Sequence, residues 1–347
     1  MATNITYTLP TDSWVVVTGA NGYIGSQVIN AFLAKGYRVR GTVRFEKPWL
    51  VEGFRAKYGP GRFETVIVPR LEDEGALDEF VQDAGGIVHV ASDLSYRPNP
   101  NDVIPGVVAA TINVLTAAKK APSIKRVVVT SSVNAACLAM DDAFGLPSKT
   151  VDQSSWNDAA VAAAWNPETP DQMKPSIVYT AAKVTAERNA WNWMKEHKPH
   201  FILNTVLPNI DFGTILFPEY QGSSMRATCM LLDGSDFVMK VVPPHWYVDV
   251  EDTARLHVVA LLDPSVQSER IFAAAAPFNW AEVITILREL RPENNRIPDA
   301  YDPVREKFDL VPTKRAEDLL KSFYGRPGWT SLRESLVNGI DGYSQGI

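Results

Sequence analysis

Trp14, Val15, Val16, Val17 and Thr18 form an unbroken apolar run that stops at a cluster of glycines, the pattern of a strand buried on both faces of a parallel sheet. From Ile24 to Lys35 the apolar positions recur at helical spacing. The alternation then repeats, with strands expected at 38–42, 65–68, 86–91, 126–130 and 201–207 and helical stretches between them. Strand, helix, strand in that rhythm predicts right-handed βαβ units and a doubly wound parallel sheet, an α/β protein.

Residues 141–175 interrupt the rhythm with prolines and Asp/Asn/Ser clusters, and are expected to form an irregular insertion. Beyond Pro208 the pattern loosens. Asn279, Trp280, Ala281 and Glu282 read as a capping box opening a helix to about Glu289, and short helices alternate with Gly/Pro turns after Phe308. These features divide the chain into a nucleotide-binding domain at 11–210 and a smaller, mainly substrate-binding lobe at 211–347, with a segment near 245–275 returning to the first domain. Such a lobe would close the crevice at the carboxyl ends of the strands, where ligands of open α/β sheets bind.

The 347 residues carry a formal charge of -6 with no concentrated Lys/Arg block, which argues against nucleic acid or an anionic membrane as the main partner and favours a small molecule. Cys137 and Cys229 are too few and too far apart for a disulfide framework or a structural zinc site. No apolar run approaches the roughly 18 residues of a membrane span, and the first ten residues lack a signal-peptide pattern. The expectation is a soluble, cytoplasmic protein.

Between the first strand and first helix stands Thr18-Gly19-Ala20-Asn21-Gly22-Tyr23-Ile24-Gly25, the strand–turn–helix context of a dinucleotide fingerprint and hence of a Rossmann-type sheet. Glycines there permit a tight turn and close approach of the backbone to a pyrophosphate, whose charge meets the helix N-terminus. An NAD-selective site would place Asp or Glu at the end of the second strand; this chain has Arg44, whose guanidinium suits the 2′-phosphate of NADP(H). The other reading of Arg44 is a solvated strand-end residue paired with Glu46.

Tyr179 and Lys183 stand four apart, at helical spacing that puts a phenol and an ammonium on one face. A neighbouring positive charge lowers a phenol's pKa, making Tyr179 a usable proton donor near neutrality. Taken alone, the same pair also fits an ordinary amphipathic helix. Val127 to Ser132 is a buried strand delivering hydroxyls at its carboxyl end, where this fold performs chemistry, although such hydroxyls are also common turn formers.

Together, Val17 to Gly25, Thr130-Ser131-Ser132, Tyr179 to Lys183, Leu207-Pro208-Asn209 and Pro243 to Val248 resemble the extended short-chain dehydrogenase/reductase family over essentially the whole chain. Within it the sequence is similar to fungal NADPH-dependent aldehyde and ketone (carbonyl) reductases, relatives of plant dihydroflavonol and cinnamoyl-CoA reductases. The resemblance implies that Ser132 polarises the substrate carbonyl, Tyr179 is the general acid, and Lys183 binds the nicotinamide ribose while tuning Tyr179. It places Gly19, Asn21, Gly22, Tyr23, Ile24, Gly25, Arg44, Val90, Ala91 and Ser92 along the cofactor, followed by Thr130, Ser131, Pro208, Asn209 and Ile210. It lines the substrate side with Leu94, Tyr96, Val133, Asn134, Val242, His245 and Trp246, whose apolar and aromatic character suits a hydrophobic carbonyl compound. Trp246 and Val242 have a second reading, as core residues of the lobe.

One departure concerns adenine. Where the family usually has Asp after the third strand, this chain reads Val68-Pro69-Arg70-Leu71, so that either Arg70 stacks on the adenine as a planar cation or Leu71 contributes backbone contacts. Asn113 lies on the helix that carries a fourth catalytic Asn in many members, with no motif to align it. His197 and His200 are separated by Pro199 with no carboxylate or Cys to complete a set, and no metal is expected. Two other functions share these features: a sugar-nucleotide epimerase or dehydratase of the same family, and a non-catalytic NADP-sensing regulator, which would typically have lost the Tyr/Lys pair.

Overall fold

The computed structural model describes residues 7–137, 150–220, 222–300 and 308–344. In chain order its strands are β1 (Trp14–Thr18), β2 (Arg38–Val43), β3 (Phe63–Ile67), β4 (Ala84–His89), β5 (Arg126–Thr130) and β6 (Thr150–Val151), then β7 (Ile202–Pro208), β8 (Ile210–Phe212), β9 (Trp246–Asp249), β10 (Arg270–Ala273), β11 (Ala276–Pro277) and β12 (Asp309–Leu310). The helices are α1 (Tyr23–Ala34), α2 (Pro48–Tyr58), α3 (Ile104–Lys120), α4 (Asp158–Trp165), α5 (Lys174–His197) and α6 (Ser224–Cys229), then α7 (Phe237–Val241), α8 (Val250–Leu262), α9 (Trp280–Leu290), α10 (Thr313–Tyr324) and α11 (Leu332–Ser344).

Seven strands pair in the order β10-β7-β5-β4-β1-β2-β3, and every pairing is parallel. The chain runs outward from β1 through β2 and β3, then outward the other way from β4. This is the doubly wound order, with its switch point between β1 and β4. Both faces are covered, and the strands show it: Val15 and Val17 pack into one core with α1 and α8 residues such as Phe32 and Leu256, while Val16 packs into the opposite one with Val114 and Trp193.

At β4 and at β10 the sheet departs from the sequence reading. Pairing of β4 stops at His89 rather than at 91, because the amides of Val90 and Ala91 turn to the Thr18 hydroxyl, each at 3.1 Å. At the other edge β10, only four residues long, adds a seventh strand by pairing with β7. Of the expected insertion at 141–175, positions 141–149 lie outside the described residues; the remainder contains β6 and α4, the latter capped by Asn157 Oδ1 on the Ala160 amide at 3.0 Å.

The lobe is built around a small sheet, β11-β9-β8, and an aromatic core containing Phe212, Phe278 and Trp280. Its α9 opens with the expected capping box: the Glu282 amide donates to Asn279 Oδ1 at 2.9 Å, and the Asn279 amide to Glu282 Oε2 at 3.3 Å. Helix α5 is the longest in the chain at 24 residues, with Pro175 in its first turn. It ends at Lys198, in the left-handed region at φ +43°, before Pro199.

Candidate active site

The glycine turn is shaped for close approach. Gly19 has φ +71°, and a Cβ there would lie 3.0 Å from the Ala91 Cα. A Cβ on Gly25 would sit 2.1 Å from the Gly19 carbonyl oxygen, so the first turn of α1 packs directly on the backbone that precedes it. Gly22 is the N-cap of α1, with no side-chain cap and no acidic residue in the first turn. The positive end of the helix is therefore left for an anion. Asn21 is half-buried in the turn. Ile24 packs between the sheet core and the lobe core. The Tyr23 ring is buried in the lobe core and its hydroxyl donates to the Gly213 carbonyl at 2.8 Å, so only the Tyr23 backbone remains for the turn.

Two bonds tie the turn to the end of β2: the Gly19 amide to Thr42 Oγ1 at 3.3 Å and the Ala20 amide to the Thr42 carbonyl at 3.1 Å. Arg44 follows one residue beyond β2, exposed, with no ion pair to Glu46 or any other described carboxylate. Arg70, with 64% of its side chain exposed, pairs with Asp73 at 3.0 Å and Glu72 at 3.2 Å. Asn113 donates to the carbonyls of Leu71 at 3.0 Å and Asp73 at 2.9 Å. It therefore fixes the loop that follows β3 and is spent on that task.

At the centre, the Ser132 side chain stands near enough to the Tyr179 hydroxyl to act on its ionisation, while its Oγ accepts the Asn134 amide at 3.2 Å. Lys183 is buried, and its Nζ donates to the Thr130 carbonyl at 3.1 Å. Ser131, between these two anchors, is buried as well. The Thr130 hydroxyl pairs with His257 Nε2 at 2.7 Å, and His257 Nδ1 donates to the Thr253 carbonyl at 2.8 Å. Burial, reinforced by Tyr96, raises the Tyr179 phenol above its ordinary value, and the neighbouring Ser132 side chain only partly opposes this. The downward pull expected of Lys183 is not what sets the phenol's direction; desolvation is the largest cause, and it points upward. Tyr179 consequently keeps its proton through the neutral range. Burial lowers Lys183 to about 8, against the opposing charge of Glu187.

Tyr96 covers the phenol, its ring 5.3 Å from that of Tyr179 at 34°, and holds a left-handed backbone at φ +52°. A non-glycine residue there is strained, which marks the segment as shaped for a purpose. Leu94 is exposed beside it in sequence, and Ser92 is half-buried. Val133 is fully buried.

His245 is only 4% exposed and links three segments: Asn209 Nδ2 donates to its Nδ1 at 2.6 Å, and its Nε2 faces Asn134 Oδ1 at 3.3 Å. Burial holds its pKa at about 3, so the ring is neutral, with Nε2–H as donor. It thereby joins the stretch from Pro208 through Asn209 to Ile210, between β7 and β8, to the turn after Ser132. Trp246 stacks on Phe308 at 6.4 Å and 21°, its Nε1 buried without a partner among the described residues. Val242 packs at the edge of the lobe core, and its carbonyl accepts Trp280 Nε1 at 2.8 Å. His197 stacks on Trp193 at 4.4 Å, and His200 bonds the Ala121 carbonyl at 3.2 Å.

Sequence reasoning passed over Thr18 and His257. Thr18 ends β1 facing two departing amides, and a hydroxyl residue at the end of an otherwise apolar strand was the available signal. His257 gave none, since its partner Thr130 is distant in the chain.

Residues 15–210 match the NAD dependent epimerase/dehydratase family. The chain belongs to that family. Among its relatives the ketoreductase nvfG of Aspergillus novofumigatus is 45% identical over 334 residues, covering 96% of this chain and 97% of that protein. Aldehyde reductase 2 of Sporidiobolus salmonicolor is 38% identical, covering 94% and 95%. The crystal structure of the yeast methylglyoxal/isovaleraldehyde reductase Gre2 complexed with NADPH shares the fold, with a TM-score of 0.80 at 24% identity over 96% of this chain and 100% of that one. The family resemblance drawn from the motifs and the doubly wound α/β fold both hold.

Proposed function

We propose that the protein is an NADPH-dependent carbonyl reductase that converts a hydrophobic aldehyde or ketone to the alcohol. The observation that carries this reading is the Tyr179 phenol beside Ser132, followed one turn later on the same helix by the buried Lys183, which is tied to the Thr130 carbonyl. The uncapped N-terminus of α1, packed on a turn with no room for a Cβ at Gly25 and a left-handed backbone at Gly19, fits a pyrophosphate, and Arg44 suits a 2′-phosphate. The names of its relatives, ketoreductase and aldehyde reductase, support the same class.

Bound NADPH would supply the hydride. The chain's part is to handle the oxygen. Ser132 and Tyr179 aim two hydroxyls at the carbonyl oxygen, where negative charge accumulates, and Tyr179 gives up its proton to form the alcohol. Lys183 stabilises the phenolate left behind. The substrate-side residues Leu94, Tyr96, Val242 and Trp246 bear no charge and His245 is neutral, a poor setting for the diphosphate of a sugar nucleotide. Consumption of NADPH with aromatic aldehydes and 3-oxo esters tests the reading. No oxidation across such a panel would overturn it.

Two further results are expected. In the reductive direction kcat/KM falls as pH rises through about 8, where Lys183 loses its proton, while Tyr179 remains protonated beyond that point. Stopped-time rates across the range would show a single basic limb; a flat profile to about pH 10 would mean that the ammonium is not needed. Arg44→Asp would lower the ratio of kcat/KM with NADPH to that with NADH by about tenfold or more, since a carboxylate repels the 2′-phosphate and accepts a ribose hydroxyl. An unchanged ratio would remove Arg44 from cofactor selection.

A further inference from the structure

Helix α5 carries a third ionisable side chain one turn beyond Lys183. Glu187 is 1% exposed, and a carboxylate is tolerated at such depth only when its oxygens are satisfied. Arg270 takes it in a two-pronged grip, Nε to Oε1 at 2.7 Å and a terminal nitrogen to Oε2 at 3.1 Å. Ser131 Oγ donates to Oε2 at 2.7 Å, Thr205 Oγ1 to Oε1 at 2.9 Å and Trp191 Nε1 to Oε1 at 3.2 Å. Only donors face it, the arrangement an ionised carboxylate takes.

Trp191 is on α5 itself, and the other three donors come from three neighbouring strands or their ends. Ser131 follows β5, Thr205 lies in β7 and Arg270 opens β10, so one carboxylate pins α5 across that half of the sheet. Arg270 is itself braced, stacked 4.1 Å from the Trp156 ring and bonded to the carbonyls of Gln153 and Ser155, each at 2.8 Å. The decisive tie is Ser131. It stands between Thr130, whose carbonyl receives Lys183 Nζ, and Ser132, which meets the Tyr179 hydroxyl. Helix and strand end are thus joined twice within three residues, and the Ser132–Tyr179 alignment is a consequence of both joints.

We propose that Glu187, held by Arg270, is a positioning residue of the reaction, fixing the Ser132–Tyr179 alignment through Ser131 and serving as the countercharge of Lys183. This rests on the reductase reading above. The titratable groups around Lys183 are Tyr179 and Glu187 on α5, His89 at the end of β4 and His257 on α8. Both imidazoles are buried and neutral, at about 3 and about 4, so Glu187 is the group that opposes the effect of burial on the ammonium.

Glu187→Gln keeps the shape and removes the charge. Its expected effect is a fall in kcat of about 10- to 100-fold, with KM for the carbonyl substrate and NADPH affinity by fluorescence titration within about threefold, and a basic limb displaced to lower pH. Ser131→Ala breaks the joint but leaves the charges, so kcat falls while the limb stays. Should Glu187→Gln fail to fold around an unpaired Arg270, the double variant Glu187→Gln/Arg270→Gln removes both charges together, and the same fall in kcat and displaced limb are expected. A folded variant with lowered melting temperature but wild-type kcat and pH profile would reduce Glu187 to a structural brace and overturn the proposal. If the wild-type protein itself oxidises no NADPH with any carbonyl compound, the reductase reading falls first, and this inference with it.

Discussion

Replacement of Tyr179 by Phe is expected to lower kcat/KM for carbonyl reduction by about 10²- to 10⁴-fold while NADPH binding is retained. The substitution deletes one oxygen atom. The ring stays where it is, against Tyr96 at 5.3 Å, so loss of packing cannot account for the fall. What disappears is the hydroxyl beside Ser132, the proposed proton donor to the carbonyl oxygen. Steady-state rates combined with NADPH fluorescence titration separate the two effects. Full turnover by the variant would show that another group supplies the proton, and His257 and His89, both buried and neutral, are poorly placed to be that group.

Gly25→Ala should abolish useful cofactor binding by a different route. Its Cβ would stand 2.1 Å from the Gly19 carbonyl oxygen, a backbone atom that cannot rotate aside. Either α1 moves outward or the turn opens, and both displace the amides meant for the pyrophosphate. NADPH affinity is expected to fall by about 100-fold or more, some 2.7 kcal/mol, and stability by about 1–3 kcal/mol from overpacking. Gly106→Ala provides the contrast, since a Cβ on Gly106 in α3 meets nothing within 4 Å, and Ala there should be neutral or slightly stabilising. Calorimetric titration with NADPH and thermal melts of the two variants test the contrast. Equal NADPH affinity in both would show that the turn does not carry the cofactor.

The features legible in the sequence are those whose causes are local. Val15 to Val17 could be read as a strand covered on both faces because the run is short, β-branched and bounded by glycines, and the glycines after it because a tight turn demands them. The shared face of Tyr179 and Lys183 follows from helical spacing alone. The direction of the Tyr179 pKa did not follow, because it depends on burial and on Tyr96, which arrives from a loop far away in the chain. His245 is similar: its neutrality and its bridge between Asn209 and Asn134 exist only where three distant segments meet. Strand β10 was too short to announce itself, and β4 ended early because of a hydroxyl on another strand. Arg270 was invisible for the same reason, as its carboxylate partner lies 83 positions earlier.

Tyr179, Lys183 and Glu187 lie on one unbroken helix, about 12 Å from first to last at 1.5 Å per residue. The spacing of phenol, ammonium and carboxylate is therefore set by covalent geometry, as on a ruler. Leu94, Tyr96 and Val242 come from loops, and Trp246 from a four-residue strand. Descent with modification can rewrite these segments one at a time, so the proposed substrate side can change while the helix that carries the proposed chemistry stays unaltered.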